Sequence, residues 1–235
     1  MLTFAPLLAA QAPAAAPGPH LVAYWKGDNM VDTVTGQSAK AMGGVTFEPG
    51  PFGKGFDFGG EASVVWFPDS SRFQLDKGLT LSAWVLIHTL PKYGSSPQAP
   101  IIFRGDDRDG LDPYVLAAES AGTFAFGICN DANQGAEVHT PAIVGRWVHL
   151  CATWDGSTKL MKLYENGQLV AQQQTDIVPL KALDPNYHPG ISIGNVQNPF
   201  GDRHYQPLNG TVAEVKIYDG PLAKPDFVKP KNWDN

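Results

Sequence analysis

No stretch of this 235-residue sequence holds apolar residues at the i, i+3, i+4 spacing of an amphipathic helix for any length. A helical bundle is therefore excluded. Beyond the first twenty residues no apolar run approaches the length of a membrane-crossing helix. Basic residues are scattered, and 17 Lys and Arg against 23 Asp and Glu leave a formal charge of −6. Nucleic-acid binders concentrate positive charge to neutralise phosphates, so that class is excluded, as is docking on anionic lipid. Cysteine is scarce: Cys129 and Cys151 both lie in strand-like runs. An even count permits a disulfide in an exported protein, whereas a free cysteine behaves as a small buried hydrophobe. Spacing does not choose between the two.

What is abundant is turn chemistry. Twenty-five Gly and 20 Pro favour many short strands, and 43% apolar residues suffice for one sizeable core. The segment from Arg146 to Val170 organises the reading. Val148, Leu150, Ala152 and Trp154 alternate with Trp147, His149, Cys151 and Thr153, so both faces are largely apolar, as in a central strand covered on two sides. Asp155-Gly156 is expected to close a first hairpin and Asn166-Gly167 a second, both in type I′ geometry, where φ is positive. Leu79, Leu81, Ala83, Val85 and Ile87 share one face of another strand at period two. Thr123–Cys129 pairs with Tyr114–Ala118 around residues 120–122, and Ala136–Thr140 is expected at an edge. Leu21–Lys26 and Thr211–Tyr218 bracket the chain and are expected to be neighbours. In 49–60 (PGPFGKGFDFGG), glycines let the backbone approach its neighbours while Phe52, Phe56 and Phe58 pack. About a dozen such strands predict an all-β fold of two packed antiparallel sheets.

Residues 1–19 stand apart: an apolar run at Leu2–Ala10, then small residues and an Ala/Pro linker. This reads as the end of a secretory signal without a basic n-region, or as an Ala/Pro lead-in. The expected division is 1–19 lead-in, 20–223 one sandwich domain, and 224–235 a C-terminal tail.

Six phrases, in order, carry a family resemblance: VAYWKGD (22–28), FGKGFDFGG (52–60), LTLSAWV (79–85), WVHLCATWDGSTKLMKLYENGQLVA (147–171), ISIGN (191–195) and LNGTVAEVKIYDGPL (208–222). Together they resemble the laminin-G-like, concanavalin A-like jelly-roll domains of secreted and cell-surface proteins. The resemblance implies a two-sheet jelly-roll sandwich placed outside the cell: secreted, periplasmic or on the surface. It also implies a calcium site at acidic positions after the FDF phrase and before the last strand. Those positions read Gly59, Gly60, Glu61, Ala62, Ser63 and Ala213 here, leaving Glu61 and Glu214 and so departing from the pattern. Glu214 is expected instead to pair with a nearby Lys or Arg, or to cap the sheet.

A second acidic loop, 105–113, sets Asp107, Asp109 and Asp112 beside Gly110, resembling a calcium loop without EF-hand spacing. Its alternative is a solvated turn whose charge Arg104 and Arg108 offset. Calcium is the only cofactor suggested.

Catalytic patterns are missing. The Glu-x-Asp-x-x-Glu strand that resemblance to glucanases would require does not occur, and Glu137, Glu165 and Glu214 each lack a same-strand carboxylate two residues away. There is no Gly-x-Ser-x-Gly elbow, and the six histidines are dispersed without zinc spacing. His149 is expected to be a hydrogen-bonded structural residue. A lyase would draw on Arg146 with His149, or on Arg203 with His204 and Tyr205.

Sugar sites combine aromatic faces with carboxylates and amides. The loop 195–209 supplies Phe200, Asp202, Arg203, His204 and Tyr205, and the loop 130–137 supplies Asn130, Asp131 and Asn133. Trp84, Trp147 and Trp154 are expected in the core. The function predicted is a non-catalytic extracellular recognition module, glycan-binding through inter-strand loops. The alternatives are a protein-binding adhesion module and a polysaccharide-active hydrolase or lyase.

Overall fold

The computed structural model describes residues 18–60, 62–92, 97–198 and 207–231. Among the described residues fifteen strands follow one another: β1 Leu21–Trp25, β2 Lys40–Met42, β3 Thr46–Gly50, β4 Gly53–Gly59, β5 Val64–Pro68, β6 Gly78–Thr89, β7 Gln98–Gly105, β8 Tyr114–Glu119, β9 Thr123–Cys129, β10 Gly135–Pro141, β11 Trp147–Asp155, β12 Leu160–Glu165, β13 Gln168–Gln174, β14 Gly190–Ile193 and β15 Asn209–Tyr218. Two single-turn 3-10 helices, Ser71–Phe73 and Pro185–Tyr187, are the only helices among the described residues.

The strands form two antiparallel sheets. The larger runs β13-β12-β11-β6-β15-β4-β3, with β1 also pairing β15; the smaller runs β10-β9-β8-β7-β14-β5-β2. This is the expected all-β jelly-roll sandwich. Its first and last strands pair as expected, Leu21 opposite Tyr218 and Trp25 opposite Val215.

Period-two alternation decides which side chains fill the space between the sheets. Leu79, Leu81, Ala83, Val85 and Ile87 of β6 and Val148, Leu150, Ala152 and Trp154 of β11 meet Phe124, Phe126 and Ile128 of β9 and Ile191 and Ile193 of β14 in one buried cluster. Trp25 and Phe67 join the sheets edge to face, their centroids 5.7 Å apart. Each fully buried Leu, Ile or Phe contributes about 1.5–3 kcal/mol relative to exposure.

The two predicted hairpins differ. Asn166 (φ 50°) and Gly167 (φ 81°) form the expected tight turn between Glu165 and Gln168. At Asp155 the chain departs from the expectation: Asp155 pairs with Leu160, and the positive φ belongs to Lys159. The Asp155 carboxylate accepts from Ser157 N and the Thr158 hydroxyl (2.9 and 2.8 Å) and so folds a four-residue loop on itself. Gly156 is required there for space, since a Cβ would lie 2.6 Å from the Lys77 carbonyl oxygen.

The two cysteines are free thiols, one at the end of β9 and one on β11, in different sheets.

Candidate functional site

Alternation sends the residues between the core positions to the opposite face of the larger sheet. Ser82 and Trp84 from β6, His149 and Cys151 from β11, Lys216 and Tyr218 from β15 and Tyr24 from β1 share it. β15 carries a bulge here: its register against β6 jumps between Ala213 and Lys216, and Glu214 sits at φ 55° with its N–H donated to the Lys26 carbonyl (3.0 Å). The Glu214 carboxylate accepts from the Tyr24 hydroxyl at 2.5 Å, which replaces the expected pairing with Lys or Arg.

The cover expected over β11 is supplied by the chain beyond β15. Asp226 sets its carboxylate on this face: Oδ1 accepts from Ser82 Oγ (2.6 Å) and lies 3.4 Å from His149 Nε2, while Oδ2 accepts from Lys216 Nζ and the Tyr218 hydroxyl (3.1 Å each). Burial works against this charge, but His149, Lys216 and Ser82 outweigh it and hold the carboxyl well below the usual range. Phe227 packs on Trp84 and His149, with centroids 5.8 and 5.5 Å away. Burial pushes the Tyr24 and Tyr218 phenols upward, so both remain donors.

Two open depressions flank this segment. One, of about 380 Å³, is lined by Tyr24, Lys26, Asp28, Phe52, Trp84, Glu214, Lys216, Asp226 and Val228. The other, of about 610 Å³, is lined by Gly50, Pro51, Phe52, Trp147 and Val228–Lys231. Phe52, at the β3–β4 turn, is 44% exposed and belongs to both. Of the three tryptophans expected in the core, only Trp154 lies there. Trp84 is buried on the outer face beneath Phe227, and Trp147 lines the larger depression. Alternation alone assigns these two correctly.

The acidic loop does not assemble as a cation cage. Asp107 accepts from Gln197 and Asn198 side-chain amides (3.0 and 3.1 Å) and meets His188 Nδ1 at 2.7 Å. Asp107, Asp109 and Asp112 are not brought together as a group of metal ligands; among the described residues that grouping occurs only at Glu119, Glu137 and His139. Arg104 does not offset the loop's charge: it is buried and paired with Asp69 through two 2.9 Å bonds. Arg108 does, through Asp106.

Asn130 serves its own turn, whereas Asn133 reaches across to the acidic loop. Asn130 Oδ1 accepts from Ala132 N and Gln134 N (3.0 and 2.9 Å), and Asn133 Oδ1 from Leu111 N (3.0 Å). Asp131 is exposed, and with Arg108, Leu111, Leu180 and Asp184 it lines a rim depression of about 200 Å³. The loops 105–113 and 130–137 thus meet each other. Phe200, Asp202, Arg203, His204 and Tyr205, like Glu61, lie outside the described residues.

Residues 58–226, more than half of the chain, match the model of the laminin-G family of the concanavalin A-like lectin/glucanases superfamily. The chain belongs to that superfamily. Among curated proteins, none matches it significantly in sequence. Similar solved structures include domain 4 of AbnA, a GH43 extracellular arabinanase from Geobacillus stearothermophilus, in complex with arabinotriose (TM-score 0.64, 16% identity, 87% of this chain and 95% of that one). The binding domain of Paraclostridial Mosquitocidal Protein 1 gives a TM-score of 0.62 at 14% identity, over 86% of this chain and 49% of that one. The binding domain of botulinum neurotoxin DC in complex with SialylT gives 0.60 at 15%, over 86% and 48%. The chain thus spans about half the length of these toxin domains. At such identities the likeness speaks for the fold.

The concanavalin A-like frame carries both lectins and glucanases by its name, so the side chains must decide. Ser82, His149 and Asp226 share a face without forming a nucleophilic triad. Ser82 gives its proton to Asp226 and can only accept from His149 Nε2, so the nitrogen that would act as base holds the proton. His149 Nδ1, the position an orienting carboxylate would take, is buried without a partner. Asp226 is held ionised and enclosed by donors, the opposite of a carboxyl kept protonated for general-acid work. His149 is the hydrogen-bonded structural residue expected.

Proposed function

We propose that this chain is a non-catalytic recognition module acting outside the cell, and that it binds glycan chains along the trough on the outer face of the larger sheet. The observation that carries this reading is the convergence of the Phe52 and Tyr24 rings with Asp28, Glu214 and Lys26 around one open depression. Sugars present apolar ring faces and hydroxyl edges, and this pairing of aromatic platform with acceptors and donors suits both. Trp147 extends the platform into the second depression. The arabinotriose complex of a domain with this fold supports the class of ligand. The described residues contain no helix long and apolar enough to cross a membrane. The rim loop with Asp131 is proposed as a secondary contact, and Phe200, Asp202, Arg203, His204 and Tyr205 remain proposed ligand residues.

A glycan array tests this. Retention is expected, and Phe52→Ala or Trp147→Ala should weaken it several-fold, since an aromatic contact is worth about 0.5–1.5 kcal/mol. No retained glycan, with capture of a protein partner, overturns it in favour of adhesion. That second reading has its own observation: Leu169 and Val170, on the edge strand β13, are 48% and 42% exposed.

A further inference from the structure

We infer that the trough contains a built carboxylate-binding site, filled here by the chain's own Asp226, and that its external ligand is a uronic-acid-bearing glycan. The inference rests on the glycan reading above and narrows it to a substrate class. The site is defined by how its donors are divided. One carboxylate oxygen faces Ser82 Oγ and His149 Nε2; the other faces Lys216 Nζ and the Tyr218 hydroxyl. Four donors from three neighbouring strands thus address two oxygens of one planar group, and the Lys216 ammonium supplies the counter-charge.

These donors do not belong to the segment that occupies them. Ser82, His149, Lys216 and Tyr218 are fixed by the sheet, and Asp226 reaches them from beyond its last strand. With Asp226 withdrawn, an ammonium with 19% side-chain exposure would lose its carboxylate partner, a costly arrangement that an outside anion relieves. Phe227 leaves with the segment and uncovers Trp84, beside Phe52 at 6.1 Å between centroids. A pyranose ring carrying a carboxylate matches that pair of features: ring face on the indole, carboxylate on the four donors. Val228 lines both depressions, so the same movement would open them into one another. The tethered Asp226 competes at high effective concentration, which makes the segment a built-in competitor.

The experiment uses the full chain and two trisaccharides, tri-galacturonate and its carboxyl-reduced neutral counterpart, followed by calorimetric titration. Asp226→Ala should bind the uronate about tenfold or more tightly than wild type does, in line with the loss of a tethered competitor. It should prefer the uronate to the neutral sugar by a comparable factor, and adding Lys216→Met should abolish that preference. Uronate should also raise the melting temperature of Asp226→Ala, because it binds only the folded state. If Asp226→Ala fails to melt cooperatively, Asp226→Asn carries the same test, since it removes the tethered carboxylate charge and leaves all four donors in place. Equal binding of charged and neutral sugars by a cooperatively melting variant overturns the inference while leaving the glycan reading standing. So does binding of a peptide spanning Lys224–Lys231 without binding of uronate. Failure of wild type and both variants to retain any sugar on the array overturns the glycan reading itself.

Discussion

Asp32 holds a buried carboxylate and Asp226 a half-buried one, each charged against the cost of burial, and both should show in the pH dependence of stability. Asp32 is fully buried, accepts from Tyr24 N and Thr35, and pairs with Arg72 at 2.7 Å. Burial opposes its charge, yet the Tyr24 backbone, Arg72 and Thr35 lower its pKa. A carboxyl depressed in the folded state stabilises fully above its unfolded value and loses that contribution as pH falls through the folded one. Stability should therefore decline below about pH 4, the ordinary aspartate range, and Asp226→Asn should flatten that decline in urea melts taken across pH. Asp32→Ala should cost about 3–5 kcal/mol, because it strands the Arg72 charge between the Phe67 and Phe73 rings. At this scale the sequence was partly legible. The pattern of β11 placed His149 on a face opposite the core, but nothing local to Asp226 marked it as the partner, for that contact spans 77 positions from His149 to the tail.

At the scale of elements, alternation and turn chemistry were readable because they are local. The β11–β12–β13 meander, the β8–β9 hairpin and the edge position of β10 all follow from them, whereas the pairing of β1 with β15 is expected because these strands bracket the chain. The loop after Asp155 was misjudged because the Asp side chain can close a turn itself, which an Asp-Gly dipeptide alone does not exclude. Glycine placement gives a sharper test. Gly194 has φ 83°, and a Cβ there would lie 2.3 Å from the Phe58 ring. Gly194→Ala should destabilise by more than the about 1 kcal/mol typical of a backbone effect alone, because strain and overpacking combine. Gly36, at φ 73° with open space around it, should cost only the backbone part. Chemical denaturation of the two variants side by side separates these contributions.

For the whole molecule, the sandwich was legible from six phrases, whereas the cover over its larger sheet was not: a tail without periodicity gives no sign of where it docks. The free cysteines provide one global check. Neither cysteine is in a disulfide, so a reductant should leave the melting temperature unchanged, and burial pushes both thiols upward, Cys151 most strongly. Alkylation of Cys151 at neutral pH should follow global unfolding, as mass spectrometry of timed samples would show. The pairing of β1 with β15 has a mechanical consequence. Leu21 lies opposite Tyr218, so tension on the two ends would peel these strands apart rung by rung and would not load their hydrogen bonds together in shear. The Asp226 contact stands outside that zipper and would be the first to rupture. Stretching this domain would bare the four donors before a single rung of the sheet had parted.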